Sequence, residues 1–334
     1  MVVNSFILNS NKLQTMKKIK DYWIDKTKIS LFLKTIAFLF LLVTSDWLVG
    51  KVLAHFYVKQ ISGWDYLTRY AIEDTKADLL IFGASRAQKQ HIPNLLEDSL
   101  NISAYNVGKD DMSILYFHAL LNSILKRYTP KMIILDIENK GFVKTDVSYE
   151  VLACLLPFYK THPELRETIE MRGPLEKYKL LSSIYPYNSL LIKILVGNTN
   201  LYKKGNKEDK GYIGLDGKLD KLPYFVNLST PNIKIDSIKI AKYQLFIDDC
   251  KKRNIKLFIV CPPYFYKQTG PDSSMQLAKQ IAAKNNIDFI DYSQNERFLK
   301  NPQLFNDTIH VNTTGATIFS NMLASDIKKR LTNK

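Results

Sequence analysis

Beyond about residue 75 the chain alternates two hydrophobic patterns. Short, almost wholly apolar runs occur at 78–82, 103–107, 132–137, 256–261 and 287–290. Between them, apolar positions recur every three or four residues at 94–100, 112–127, 237–253 and 273–285, and again at 313–331. A short continuous apolar run is what a strand buried on both faces requires, and the longer periodic stretches read as amphipathic helices. Their alternation predicts an α/β three-layer sandwich, a central parallel sheet with helices on both faces. The stretch 146–231 breaks the rhythm. It is rich in Tyr, Pro and Lys and reads as an insertion over the sheet's edge. In sheets of this kind ligands bind at the carboxyl ends of the strands. Ser85, Gly108, Asn139 and the pair Pro262-Pro263 all follow predicted strand ends.

The front of the chain has a different pattern. Lys12, Lys17, Lys18, Lys20, Lys26, Lys28 and Lys34 face only Asp21 and Asp25, and an apolar stretch then runs over 29–58. About 20 apolar residues cross a bilayer, so this stretch predicts one transmembrane helix. Asp46 interrupts it, and a carboxylate there is costly unless it lies near an interface or faces a partner. The alternatives are a buried amphipathic helix and a cleaved signal peptide. Against the latter, the leader is long and no clear small-x-small site follows. The lysine excess on the N-terminal side predicts a cytoplasmic N-terminus and a translocated body. The expected organisation is a basic cytoplasmic leader at 1–28, a transmembrane helix at 29–58 and an α/β domain at 75–334 with the insertion at about 146–231. The expected topology is single-pass, with the domain outside.

The formal charge of +15 would ordinarily raise the question of nucleic acid, but much of the excess sits in the leader, so no nucleic-acid partner is expected. The lysines of 203–221 alternate with acids and read as a solvated loop. Cys154, Cys250 and Cys261 are the only cysteines, too few and too odd a set for a disulfide framework or a zinc site. They read as packing residues, with a single disulfide left open. No metal or cofactor is expected. Gly-x-Gly-x-x-Gly is missing after Phe82, which argues against a dinucleotide enzyme.

The candidate chemistry lies in two motifs far apart in sequence. Leu79-Leu80-Ile81-Phe82 leads into Gly83-Ala84-Ser85-Arg86, a strand delivering a serine onto a tight turn; Asp307-Thr308-Ile309-His310 supplies a carboxylate and an imidazole from one turn. Serine needs a base and the base needs an orienting acid, and the order Ser85, Asp307, His310 provides all three. The Gly-x-Ser-x-Gly elbow is missed, since residue 87 is alanine. Each motif alone has a bland reading, a helix N-cap at Ser85 and a helix entry near Asn312. Arg86 is either an anion contact or an ion pair, His91 an extended-turn residue, and Tyr264-Phe265 either a pocket wall or aromatic packing.

With these residues in place, the chain resembles the SGNH (GDSL-like) hydrolase and acyltransferase superfamily, whose fold is a flavodoxin-like sandwich. Within it, the resemblance is to the membrane-anchored extracytoplasmic branch that includes alginate-acetylation proteins and the D-alanine transfer protein of teichoic acids. It covers roughly 75–334. It implies Ser85 as nucleophile, His310 as base and Asp307 as its orienting acid, the setting Phe305-Asn306-Asp307-Thr308-Ile309-His310 being the most specific match. It implies an oxyanion hole from the amides of Ser85 and Gly108, the glycine of Tyr105-Asn106-Val107-Gly108. The family's Gly-x-Asn-Asp is absent, and Asn139 in Asp136-Ile137-Glu138-Asn139 is the substitute. The implied activity is a serine esterase or O-acyltransferase moving an acetyl group to or from an envelope or exported glycan. The implied location is the bacterial cytoplasmic (inner) membrane. The implied partners are the glycan or acyl-ester substrate and a polytopic membrane acyltransferase; the place of Asp46 within the apolar stretch makes it the candidate docking point for the latter. The alternative is a non-catalytic glycan-binding or assembly protein with the same fold.

Overall fold

The computed structural model describes residues 3–199, 201, 209–229 and 233–332; the lysine-rich run 203–207 lies outside the described residues. Its centre is a five-stranded, all-parallel sheet of β1 (Leu79–Phe82), β2 (Ala104–Asn106), β3 (Met132–Asp136), β5 (Lys256–Cys261) and β7 (Asp288–Asp291), in the order β2-β1-β3-β5-β7. Each expected strand lies within a residue or two of its place. β1 pairs with β2 on one side and β3 on the other, with Leu80 opposite both Tyr105 and Ile133. The chain therefore reverses its winding at β1, and a crevice opens beyond its carboxyl end.

Alternate residues of each strand feed two cores. Leu80, Phe82, Ile133, Leu135, Leu257 and Ile259 pack under the helices Ile114–Arg127, Ser237–Lys252 and Ser273–Lys284. Leu79, Ile81, Ile134, Phe258 and Val260 pack under Pro93–Leu100 and Thr313–Thr332. This is the period of two expected of a strand, with both faces apolar because both are covered. All three cysteines are free.

The sequence pattern did not reveal a second, two-stranded parallel sheet of β4 (Tyr224–Asn227) and β6 (Tyr266–Thr269). The segment before β4 also does more than cover an edge. The N–H of Asn106 donates to Lys210 O, that of Ile213 to Gln88 O, that of Leu219 to Phe305 O, and that of Thr313 to Leu215 O. Residues 210–219 thus run as a strap from β2 across the helix that follows β1 to the turn at 305–313.

A single helix, Val3–Val58, replaces the expected separation of leader and span, and Gln14–Val58 is long and apolar enough to cross a membrane. Its last turns belong to the body. Tyr57 is buried in the first core against Phe158 and Tyr187, and Leu53 and Ala54 pack on it. Packed structure therefore begins well before residue 75. Asp46 is engaged within the chain rather than left free for a partner. Its carboxylate accepts from Ser182 Oγ and from the N–H groups of Ser183 and Ile184.

At Gly50 the helix meets the body so closely that a Cβ would lie 2.4 Å from Ser183 Cβ and 2.6 Å from Ser183 C. Gly50→Val should lower the stability of the detergent-solubilised chain by about 1–3 kcal/mol, the range of overpacked contacts, read as a lower midpoint of thermal unfolding.

Candidate active site

The serine is set in place by a turn that only glycine can make. After β1 the chain turns at Gly83 with φ +152°, where a Cβ would lie 2.6 Å from Ala87 Cβ and 2.7 Å from Asp136 Cβ. The helix Ser85–Gln90 starts at once, and Arg86 to Gln90 are buried while Ser85 is part-exposed. As the first helical residue, Ser85 has an N–H with no intrahelical acceptor.

Below it lies a buried polar network. Asp136, at the end of β3, faces Arg86 with Oδ1 3.6 Å from Nη2, and faces His91 with Oδ2 3.0 Å from Nε2. Arg86 also donates to Pro262 O, and its guanidinium lies 4.0 Å from the centre of the Tyr264 ring. Of the two readings weighed for Arg86, the structure takes the ion pair, buried rather than at the surface. Tyr264 and Phe265 are buried packing residues, and Tyr264 stacks on Tyr266 at 4.7 Å.

The second motif forms a tight turn closed by the Phe305–Val311 bridge, with the N–H of Asn306 donating to His310 O. Within it Asp307 faces His310, with Oδ2 2.9 Å and Oδ1 3.1 Å from Nδ1. Oδ1 also accepts from the N–H groups of Ile309 and His310. Burial raises the Asp307 pKa, but the hydrogen bonds from His310 and these amides outweigh it and hold the carboxyl well below the usual carboxylate range. The other imidazole nitrogen, Nε2, lies 2.7 Å from Ser85 Oγ. Gln90 Nε2 donates to Ile309 O at 2.8 Å, tying the serine's helix directly to this turn. Ser85, His310 and Asp307 are thus brought into one chain of contacts.

The other expected donors are placed differently. The Gly108 N–H donates to Asn106 Oδ1 at 2.9 Å, while Asn106 Nδ2 donates to Ala87 O and His91 O. Gly108 is glycine for close packing, since a Cβ would lie 2.9 Å from both Ala87 Cβ and Gln88 N. The Asn139 N–H donates to the Tyr264 hydroxyl and its Nδ2 to that of Tyr266. Two features escaped the sequence reading. Glu138 lies near Arg86, Asp136 and His310; burial raises its pKa, and Arg86 opposes that rise. A cavity of about 30 Å³ begins at Ala84 and is lined by Met112, Ile114, Phe117, Phe142 and Tyr243 with Asp136 and Glu138. That is room for about two water-sized groups. Among the described residues no cluster of His, Cys, Asp or Glu could hold a metal ion.

No family model matches the chain, and no curated protein matches it. Solved structures do. A psychrotrophic esterase from Pseudoalteromonas sp. is 12% identical over 76% of this chain and 98% of its own, with a TM-score of 0.39. An acetylxylan esterase from Geobacillus stearothermophilus is 12% identical over 75% of this chain and 93% of its own, with a TM-score of 0.37. A further acetyl xylan esterase is 15% identical over 75% and 98%, with a TM-score of 0.35. Likeness at this level leaves the function to be argued from this chain's own residues.

The network around Asp136 makes a definite prediction. Asp136→Ala leaves a buried guanidinium without its carboxylate, which should cost about 3–5 kcal/mol. Denaturant unfolding should show the midpoint falling with an unchanged slope.

Proposed function

We propose that this chain is a membrane-anchored serine esterase or O-acyltransferase of the SGNH type, acting outside the cytoplasm on a short acyl ester of a glycan. The reading is carried by one observation, the chain of contacts from Ser85 Oγ to His310 Nε2 and from His310 Nδ1 to Asp307. In the proposed mechanism Ser85 Oγ attacks the acyl carbonyl carbon and passes its proton to His310 Nε2. The C–O bond to the leaving alcohol breaks, and that alcohol takes the proton back. Water or a sugar hydroxyl then attacks the acyl-serine ester, gives its proton to the same nitrogen, and Ser85 is released protonated. Asp307 accepts from Nδ1–H, fixing the tautomer and stabilising the imidazolium. The Ser85 N–H, without an intrahelical acceptor, is the proposed oxyanion donor. The small cavity at Ala84 supports a short acyl group such as acetyl rather than a long chain.

The anchor is the helix Gln14–Val58, with its lysine-rich end in the cytoplasm of a bacterial cell and the body on the outer side of the inner membrane. There a polytopic acyltransferase would be the natural source of the acyl group. The non-catalytic reading draws on a specific observation too, the engagement of Gly108 and Asn139 with internal partners.

The two readings part on a single experiment. A fluorophosphonate should label the chain at Ser85, with labelling lost in Ser85→Ala, and an activated acetyl ester should be turned over with acetate released or a glycan gaining mass. His310→Ala should lose about as much activity as Ser85→Ala, while Asp307→Ala retains about 10- to 100-fold more. Full turnover by a correctly folded His310→Ala would remove the mechanism. For orientation, alkaline phosphatase fused at the C-terminus should be active in intact cells. A reporter active only in the cytoplasm, working from the same position, would reverse the topology.

A further inference from the structure

We infer that the insertion and the last turns of the N-terminal helix form one lipid-seated platform, which holds the globular body against the outer leaflet at a fixed height. The inference rests on the membrane-anchored reading and goes beyond it, since a tether alone would leave the body free to rotate.

Length is the first reason. Exposed apolar side chains continue along the helix from Ile29 through Trp47, Leu48 and Val52 to Val58. Thirty residues at about 1.5 Å each span about 45 Å, whereas the hydrocarbon core is about 30 Å thick. The excess, roughly ten residues, must tilt or lie in the interface. These are the turns that pack on the body.

The second reason is Asp46. A carboxylate at this depth is tolerated when its hydrogen bonds are met, and the loop at 182–184 supplies three. Ten residues further on, Asn198 Nδ2 donates to Phe56 O. The insertion therefore accompanies the helix over the stretch that meets the membrane surface, and cannot stand away from it.

The third reason is what the insertion exposes there. Leu181, beside the residues that cap Asp46, is 78% exposed, and Ile192, on the helix Leu191–Gly197 that packs beside the N-terminal helix, is 76% exposed; Leu175, Tyr178 and Leu195 are exposed as well. Lys177, Lys179 and Lys193 are interleaved with them and exposed. Apolar side chains with lysines between them, continuous with a membrane-crossing face, match the boundary between acyl chains and anionic headgroups. A cleft of about 350 Å³ between the helix and the insertion has the same mixed lining, with Trp47, Leu156 and Leu180 beside Lys51 and Lys160.

The full chain would be placed in phosphatidylcholine–phosphatidylglycerol vesicles, with an environment-sensitive fluorophore on Leu181→Cys or Ile192→Cys. Leu41→Cys, within the span, and Lys329→Cys, on the helix Thr313–Thr332 at the opposite face of the sheet, serve as references. The unsubstituted chain provides the blank for its three native cysteines, and equal unfolding midpoints establish that each variant is folded. Lipids carrying a quencher deep in the acyl chain should cut the emission at 41, and lipids carrying it just below the headgroup should cut that at 181 and 192 about two-fold or more, both leaving position 329 unchanged. Quenching at 41 with 181 and 192 as bright as 329 would overturn the platform and leave the anchor standing. No quenching at 41 would remove the anchor, and the platform with it.

Discussion

One carboxylate sets the position of the serine. Asp136 ends the central strand β3, and its two oxygens face Arg86 at the start of the helix Ser85–Gln90 and His91 just past its end. Both ends of the helix are thereby pinned to the sheet at one point. Gly83 allows this, because any side chain there would collide with Asp136 itself. A buried ion pair of this kind adds little net stability compared with an apolar replacement. Its contribution is geometric. It fixes a short helix that has too few intrahelical bonds to hold its own orientation, and leaves Ser85 as its one part-exposed side chain.

The histidine turn is held from the other side. Gln90 reaches from the serine's helix to Ile309 O, the N–H of Phe265 donates to Thr308 O, and the strap at 210–219 crosses both helix and turn. The Asn312 side chain donates to Gly217 O and Gln303 O, closing the strap onto the turn. The contact between Ser85 and His310 thus bridges 225 positions of sequence, supported by backbone and side-chain bonds from three segments. An arrangement this heavily supported needs no movement to bring oxygen and nitrogen together, the preorganisation that the proposed acyl transfer would exploit.

The strands were legible because a doubly covered sheet demands unbroken apolar runs, and few other structures do. The candidate site residues Ser85, Asp307 and His310 were legible because strand ends and short motifs are local. What escaped was non-local or weakly patterned. β4 carries exposed Tyr224 and Phe225 and has no buried face to impose a period. The strap at 210–219 holds by backbone bonds and by side chains such as Asn306 and Asn312 that lie about 90 residues away in sequence, so no local pattern marks it. Asp46 read as an unpaired charge because its partners lie about 136 residues away. Arg86 and Asp136 are far apart in sequence and make sense only when β1 and β3 are side by side.

Those same tight turns bear on how the proposed oxyanion would be stabilised. A good donor contributes on the order of 3 kcal/mol to lowering the barrier. For the Gly108 N–H to serve, it must leave Asn106 Oδ1. A hydrogen bond to a charged oxygen is worth about 1.5–3 kcal/mol against about 1 kcal/mol for the neutral pair it replaces. The exchange would also strand Asn106 Oδ1 in a buried site, at about 1–3 kcal/mol, because Asn106 cannot turn away while its Nδ2 holds Ala87 O and His91 O. Gain and loss nearly cancel, so the Gly108 amide has no net reason to change partners. On the proposed mechanism the oxyanion therefore depends on the Ser85 N–H, a donor without an intrahelical acceptor at the start of its helix, and on whatever donors the bound acceptor itself brings.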